Sequence, residues 1–146
     1  MTPDAVINFL ASCGIPWATI HMRDGGNYRP LEERWVFGQF AGEWDAEIDR
    51  LGLRYEEERE DCDDFGAECH RFMCRRNRRA RNSQRNGLAA WARIWFPRPD
   101  GLHEANLFLT TLDGDLGLRG FEPQRVPDRR IRFTRAQLEA STFVEI

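Results

Sequence analysis

The stretch Cys62-Asp63-Asp64-Phe65-Gly66-Ala67-Glu68-Cys69-His70-Arg71-Phe72-Met73 reads as a helix that continues to about Arg79. Cys62, Phe65, Cys69, Phe72 and Met73 fall on one face at helical spacing, and Arg side chains fill the rest. Asp63 and Asp64 sit in the first turn and arginines in the last, as the helix macrodipole favours. Downstream the apolar period changes from 3.6 to 2. Ala89 to Phe96, Leu102 to Thr111 and Leu118 to Glu122 alternate as strands, with Ile131 to Phe133 as a fourth. Pro97 to Gly101 and Asp113-Gly114-Asp115 supply the turns. Thr134 and Gln137 form a capping box for a short last helix.

Upstream, Thr2 caps a helix with Pro3 at its first position, Val6, Leu10 and Cys13 on one stripe, and Gly14 as its stop. Ile15 to Met22 reads as extended and Asp24 to Asn27 as a loop, and Trp35 to Phe40 is a short apolar piece. Trp44, Ile48 and Leu51 are spaced i, i+4, i+7 on a helix ending near Gly52. Asn82 to Gly87 reads as a loop. Helices first and an antiparallel meander second predict a single α+β domain over residues 1–146, with the Cys62 helix packed on a C-terminal sheet.

The chain has 146 residues, 41% hydrophobic and 31% charged, enough for one core. Its apolar runs fall short of the roughly 18 residues of a membrane span, so no membrane partner is expected. No cationic stretch followed by an apolar one follows Met1, so no secretory leader is expected, and the location implied is cytoplasmic or a phage virion. All 21 basic residues are Arg, which excludes a P-loop lysine or a Schiff base. Net charge is −3, but the charge is in blocks: seven acids between Glu56 and Asp64, then seven Arg from Arg71 to Arg85. The blocks neutralise one another, or the arginines meet nucleic acid or an acidic partner. Cys13, Cys62, Cys69 and Cys74 are expected as free thiols. Cys62, Cys69, His70 and Cys74 lack the tight pairs of a structural zinc site. Trp91 and Trp95 share a strand face and are expected in the core rather than as a sugar-binding platform.

The chemistry-bearing residues are Cys62, His103 and Glu122. A helix N-terminus favours a thiolate, and Cys62 opens the central helix. His103 follows 41 residues later, at the start of the middle strand, and Glu122 19 residues after that, at the end of the neighbouring strand. A thiol, an imidazole to take its proton and a carboxylate to orient the imidazole form the layout of papain-like cysteine hydrolases.

Glu60-Asp61-Cys62-Asp63-Asp64-Phe65 resembles the motif at the helix start of transglutaminase-like cysteine proteinases. It resembles more closely that of the papain-like C-terminal protease domain of mushroom agglutinins and its small bacterial and phage relatives. Gly101-Leu102-His103-Glu104-Ala105-Asn106 resembles the family's His-x-x-Asn strand, and Gly120-Phe121-Glu122-Pro123-Gln124 its aromatic-Glu-x-Gln strand. The resemblance runs from about Tyr55 to Gln124. It implies a papain-like fold, with Cys62 as nucleophile, His103 as general base and acid, Glu122 as orienting carboxylate, and a peptide or protein substrate cut at a peptide or isopeptide bond. It also implies calcium near the site, held by Asp63, Asp64, Glu122 or Gln124. One departure is the absence of a Gln before the Cys: Tyr55-Glu56-Glu57-Glu58-Arg59-Glu60 leaves the oxyanion hole to backbone amides or another side chain. The alternatives are a phage structural protein on the same fold with a vestigial triad, and a nucleic-acid binder acting through Arg71 to Arg85.

Overall fold

The computed structural model describes residues 1–22, 26–54, 62–81 and 87–146. Helix α1 (Pro3–Ser12) is capped by the Thr2 hydroxyl, which accepts from the Ala5 amide at 3.2 Å. A turn of 3-10 helix over Trp17–Thr19 leads into strand β1 (Ile20–His21), then β2 (Tyr28–Arg29). A helix beginning as α2 (Glu33–Trp35) widens into a π turn over Val36–Phe40 and continues as α3 (Ala41–Leu51). Gly52 stops it at φ 70°, a left-handed backbone that costs glycine little. Then come α4 (Cys62–Arg81), β3 (Leu88–Ala89), β4 (Trp91–Arg98), β5 (Gly101–Leu112), β6 (Asp115–Phe121), β7 (Arg130–Ile131), α5 (Arg135–Glu139) and β8 (Phe143–Glu145).

The main sheet has six strands in the order β1-β8-β4-β5-β6-β7, and β2 and β3 pair separately. Its centre is the meander β4–β5–β6. Asp113 and Gly114 close the β5–β6 hairpin with φ of 50° and 94°, the doubly positive turn that matches strand twist. The sheet is mixed, because β1 pairs parallel with β8 while β8 pairs antiparallel with β4.

Alternation along the strands separates two cores. Ile94, Phe96, Leu107 and Leu109 face Val6 and Leu10 of α1 and Leu138 of α5. Trp91, Phe108 and Phe121 face the other way, against Val36, Phe40, Trp44 and Ile48 of the broken helix and Phe65, Cys69 and Met73 of α4. Each large side chain buried here adds roughly 1.5–3 kcal/mol. The second core is aromatic: Phe40 meets Trp91 edge-on at 5.0 Å, and Trp91 stacks on Phe108 at 5.8 Å.

The expected α+β, papain-like arrangement of N-terminal helices on a C-terminal antiparallel sheet is corrected here. Six mixed strands dominate the domain, one of them from the N-terminal part, and helices cover both faces. The reading missed β8 and its pairing with β1, which are too short to carry a period. Trp95 is only partly buried, not a core residue like Trp91. The expected loops at Asp24 and at Asn82 to Asn86, and most of the acidic block, lie outside the described residues.

Candidate functional site

Three elements converge on one shallow cleft of about 280 Å³, lined by Cys62, Asp63, Trp95, Leu102 and Glu104. Cys62 is the first residue of α4, half-buried, with its sulfur 3.5 Å from the backbone amide of Glu104, which donates to it. His103 precedes Glu104 on β5, so its side chain emerges on the opposite face of the strand. There it meets the ring of Phe96 edge-on at 5.6 Å. Glu122 follows the last residue of β6, diagonal to His103 across the β5–β6 ladder. His103 Nε2 lies 2.9 Å from Glu122 Oε2.

The electrostatics bind these groups together. Burial pulls the His103 imidazole towards neutrality, but hydrogen bonds to Cys62 and to Glu122, and the charge of Glu122, outweigh it and raise the pKa to about 9. Burial pushes the Glu122 carboxyl up; the bond and charge of His103, the Gln124 amide and Arg98 overcome that and hold it below the usual value. Arg98 Nη2 reaches the same carboxylate oxygen at 3.3 Å.

The backbone that carries Glu122 is held from behind. Arg129, 8% exposed, donates from Nη1 to the carbonyls of Glu122 and Pro123 at 2.8 and 2.9 Å and from Nη2 to Asp45 at 2.6 Å. The Trp44 indole donates to the Pro123 carbonyl at 2.7 Å.

The structure therefore brings Cys62, His103 and Glu122 together. Of the expected calcium ligands, Glu122 is already engaged by other partners. Glu122 Oε2 faces His103 and cationic Arg98, and Oε1 accepts the Gln124 amide at 3.3 Å. Among the described residues no group of three or more His, Cys, Asp or Glu is arranged to hold a metal, the Cys62, Cys69, His70 and Cys74 set included. Sequence reasoning missed Trp95, Leu102 and Glu104 as cleft residues. The signal was available for Glu104: a charged residue inside an apolar strand has to find a partner.

Among the described residues, the basic block pairs with α3 and within α4. Arg75 reaches Glu47 and Arg76 reaches Glu43, each at 2.8 Å, and Arg76 lies over the Trp35 ring at 4.7 Å. Arg71 pairs with Glu68 within α4. These pairings draw three of the seven arginines of the nucleic-acid alternative into the protein's own ion pairs. Among the described residues no helix is long and apolar enough to cross a membrane.

No protein-family model and no curated protein matches the chain. The fold itself is found in solved structures of lectin chains. One is described as "PSL1a-E64 complex", with TM-score 0.69 and 18% identity over all of this chain and 51% of that one. Another is Polyporus squamosus lectin bound to the human-type influenza-binding epitope Neu5Acα2-6Galβ1-4GlcNAc, with TM-score 0.68 and 17% identity over all of this chain and 49% of that one. The chain thus spans about half the length of the structures it matches, and at this identity the likeness establishes the fold. It corrects the family resemblance drawn from the motifs. A lectin bound to a sialylated glycan stands among the structures with this fold, so the papain-like protease family, the peptide or isopeptide substrate and the cysteine-protease function do not stand.

Proposed function

We propose that this chain is a ligand-binding domain whose cleft presents Cys62 as a base-assisted thiol nucleophile. One observation carries the reading: His103 Nε2 lies 2.9 Å from Glu122 Oε2, and the Cys62 sulfur sits 3.5 Å from the amide of Glu104, the residue next to His103 on β5. In this reading Nε2 is committed to the carboxylate, which leaves Nδ1 for the thiol. Glu122 fixes the ring and its tautomer, the imidazole takes the thiol proton, and the sulfur bonds to an electrophilic carbon seated beside Trp95 and Leu102 as that carbon's bond to its leaving atom breaks and the imidazolium returns the proton to that atom. The compound that partners PSL1a in one of the two similar structures is the first to try.

Timed alkylation with iodoacetamide and peptide mapping test the reading. Cys62 is expected to react first. Burial raises the thiol pKa of Cys13, and of Cys69 more strongly, which keeps both protonated and slow. His103→Ala is expected to slow Cys62 by about 100-fold, within the range for a proton-transfer partner. Labelling of Cys62 no faster than Cys13 and indifferent to His103→Ala refutes the reading.

Carbohydrate binding is a second reading, favoured by the make-up of the cleft. Trp95 lies beside the carboxylate of Asp63, an aromatic surface with a neighbouring hydrogen-bond acceptor that suits the apolar face and hydroxyls of a sugar. Support also comes from the trisaccharide held by the second similar structure. Calorimetric titration with that trisaccharide is expected to give binding that Trp95→Ala abolishes. No heat with either protein removes this reading and leaves the thiol test untouched.

A further inference from the structure

Glu104 is the most deeply buried acid of the cleft, and the thiol chemistry above gives it no role. Its side chain is fully inaccessible, Oε2 is bound by Arg93 Nη2 at 2.7 Å and by the Trp95 indole, and Oε1 has no hydrogen-bond partner. Burial holds its carboxyl above the usual range despite the arginine. Such a group is costly to keep in an apolar layer, where a hydrophobic residue of the same volume is often as stable.

What the carboxylate touches is α4 at its fifth residue. Gly66 has no Cβ, and one placed there would lie 2.8 Å from Glu104 Cδ and closer still to Oε1. Asn106, two residues along β5 on the same face, donates from Nδ2 to the Gly66 carbonyl at 3.2 Å. The amide of Glu104 itself points at the Cys62 sulfur at 3.5 Å. So the turn of helix that bears Cys62 is seated on the residues that directly follow His103. A shift of Glu104 along β5 would move the sulfur, its backbone donor and the imidazole relative to one another.

We propose that Glu104 is a positioning residue: clamped by Arg93 and Trp95 and seated against Gly66, it sets the Cys62 sulfur against the Glu104 amide and the His103 ring. This rests on the reading of Cys62 as a base-assisted nucleophile. Its consequence is specific, because a buried ion pair on the far side of the strand from His103 then governs the reactivity of a thiol it does not titrate.

The test is the pH profile of Cys62 alkylation by iodoacetamide in the intact chain, with folding checked by circular dichroism. Glu104→Gln keeps the shape of the side chain and removes its charge. It is expected to slow Cys62 at pH 7 by about 10-fold, the scale of groups that orient others at a site, and to move the midpoint of the profile. A folded Glu104→Gln protein with a profile superimposed on the wild type overturns the proposal, since a purely structural ion pair lowers stability without moving that profile. If Glu104→Gln does not fold, Arg93→Gln, which releases Glu104 from outside the cleft, replaces it: a moved profile supports the proposal and an unmoved one overturns it. His103→Ala separates the two claims. If it leaves Cys62 unchanged, the nucleophile reading fails. If it slows Cys62 while the Glu104 and Arg93 variants do not, only the positioning role fails.

Discussion

His103 and Glu122 stand diagonally across the β5–β6 ladder with Nε2 and Oε2 2.9 Å apart. Strand register alone brings them together. A slip of one residue would send one side chain to the opposite face of the sheet. The contact is thus a readout of the hairpin closed at Asp113 and Gly114, at the far end of both strands.

Glu122→Gln keeps a hydrogen-bonding side chain and removes its charge. The imidazole pKa of His103, about 9 in the native chain, is expected to fall towards the ordinary 6.5. Titration of the ring protons by NMR measures it. An unchanged midpoint would mean that the Cys62 side chain alone holds the proton.

The same pair sets a pH dependence of stability. The folded pKa of His103 lies above the ordinary 6.5, so its contribution is complete below pH 6.5 and is lost as pH rises through about 9. Glu122 runs the other way: its folded pKa is below 4.5, so its contribution is present above 4.5 and is lost as pH falls through the lowered value. Urea midpoints are expected to drop between pH 6.5 and 9.5 by on the order of 2 kcal/mol in stability. In His103→Phe that part of the drop should vanish. Parallel curves for the two proteins would contradict the linkage.

Gly66→Ala places a methyl group against the carboxylate of Glu104, whose far end is held by Arg93 and Trp95. Neither the helix backbone nor the clamped acid has room to yield. A loss of about 1–3 kcal/mol is expected, as for overpacking elsewhere, although alanine is intrinsically the better helix former. Chemical denaturation decides it, and an equal or higher midpoint would show that Glu104 moves freely.

Arg129→Met retains bulk over the Phe121 ring but strips the Glu122 carbonyl of its donor, while the Pro123 carbonyl keeps Trp44 and Asp45 keeps Arg125. Leaving a buried acceptor unpaired is expected to cost about 1–3 kcal/mol. The Glu122 backbone should loosen with it, so amide exchange at residues 122–124 should accelerate more than at β4. Uniform acceleration across the sheet would indicate global destabilisation alone.

The sequence exposed the local elements and hid the closure of the sheet. Thr2, the Trp44–Ile48 stripe, Gly52, the Asp113-Gly114 turn and the Thr134–Gln137 box are cues read within a few residues, and each marks the element it signalled. β1 and β8 depend on a partner more than a hundred residues away, and strands of two and three residues have no detectable period. The π turn at Val36–Phe40 was illegible for another reason: the extra residue per turn serves to aim Val36 and Phe40 into one core, a tertiary demand. At the site, Cys62, His103 and Glu122 were visible by type and order. Glu104 was overlooked: an acid inside an apolar strand signals a partner, but not that the partners are Arg93, Trp95 and the helix at Gly66. The family drawn from the three motifs was overturned, since short motifs on a helix start and two strand ends do not determine the sheet that carries them.

The place of β8 inside the sheet, next to its edge strand β1, has a consequence for synthesis. It lies between β4 and β1 although it comprises residues 143–145. While the ribosome still holds those residues, β4 has one bare edge, β1 has no neighbour, and the sheet cannot close however well the meander has formed. Until residues 143–145 emerge, the nascent domain carries an exposed strand edge, and this interval is when it is most open to chaperones and to pairing with the wrong chain.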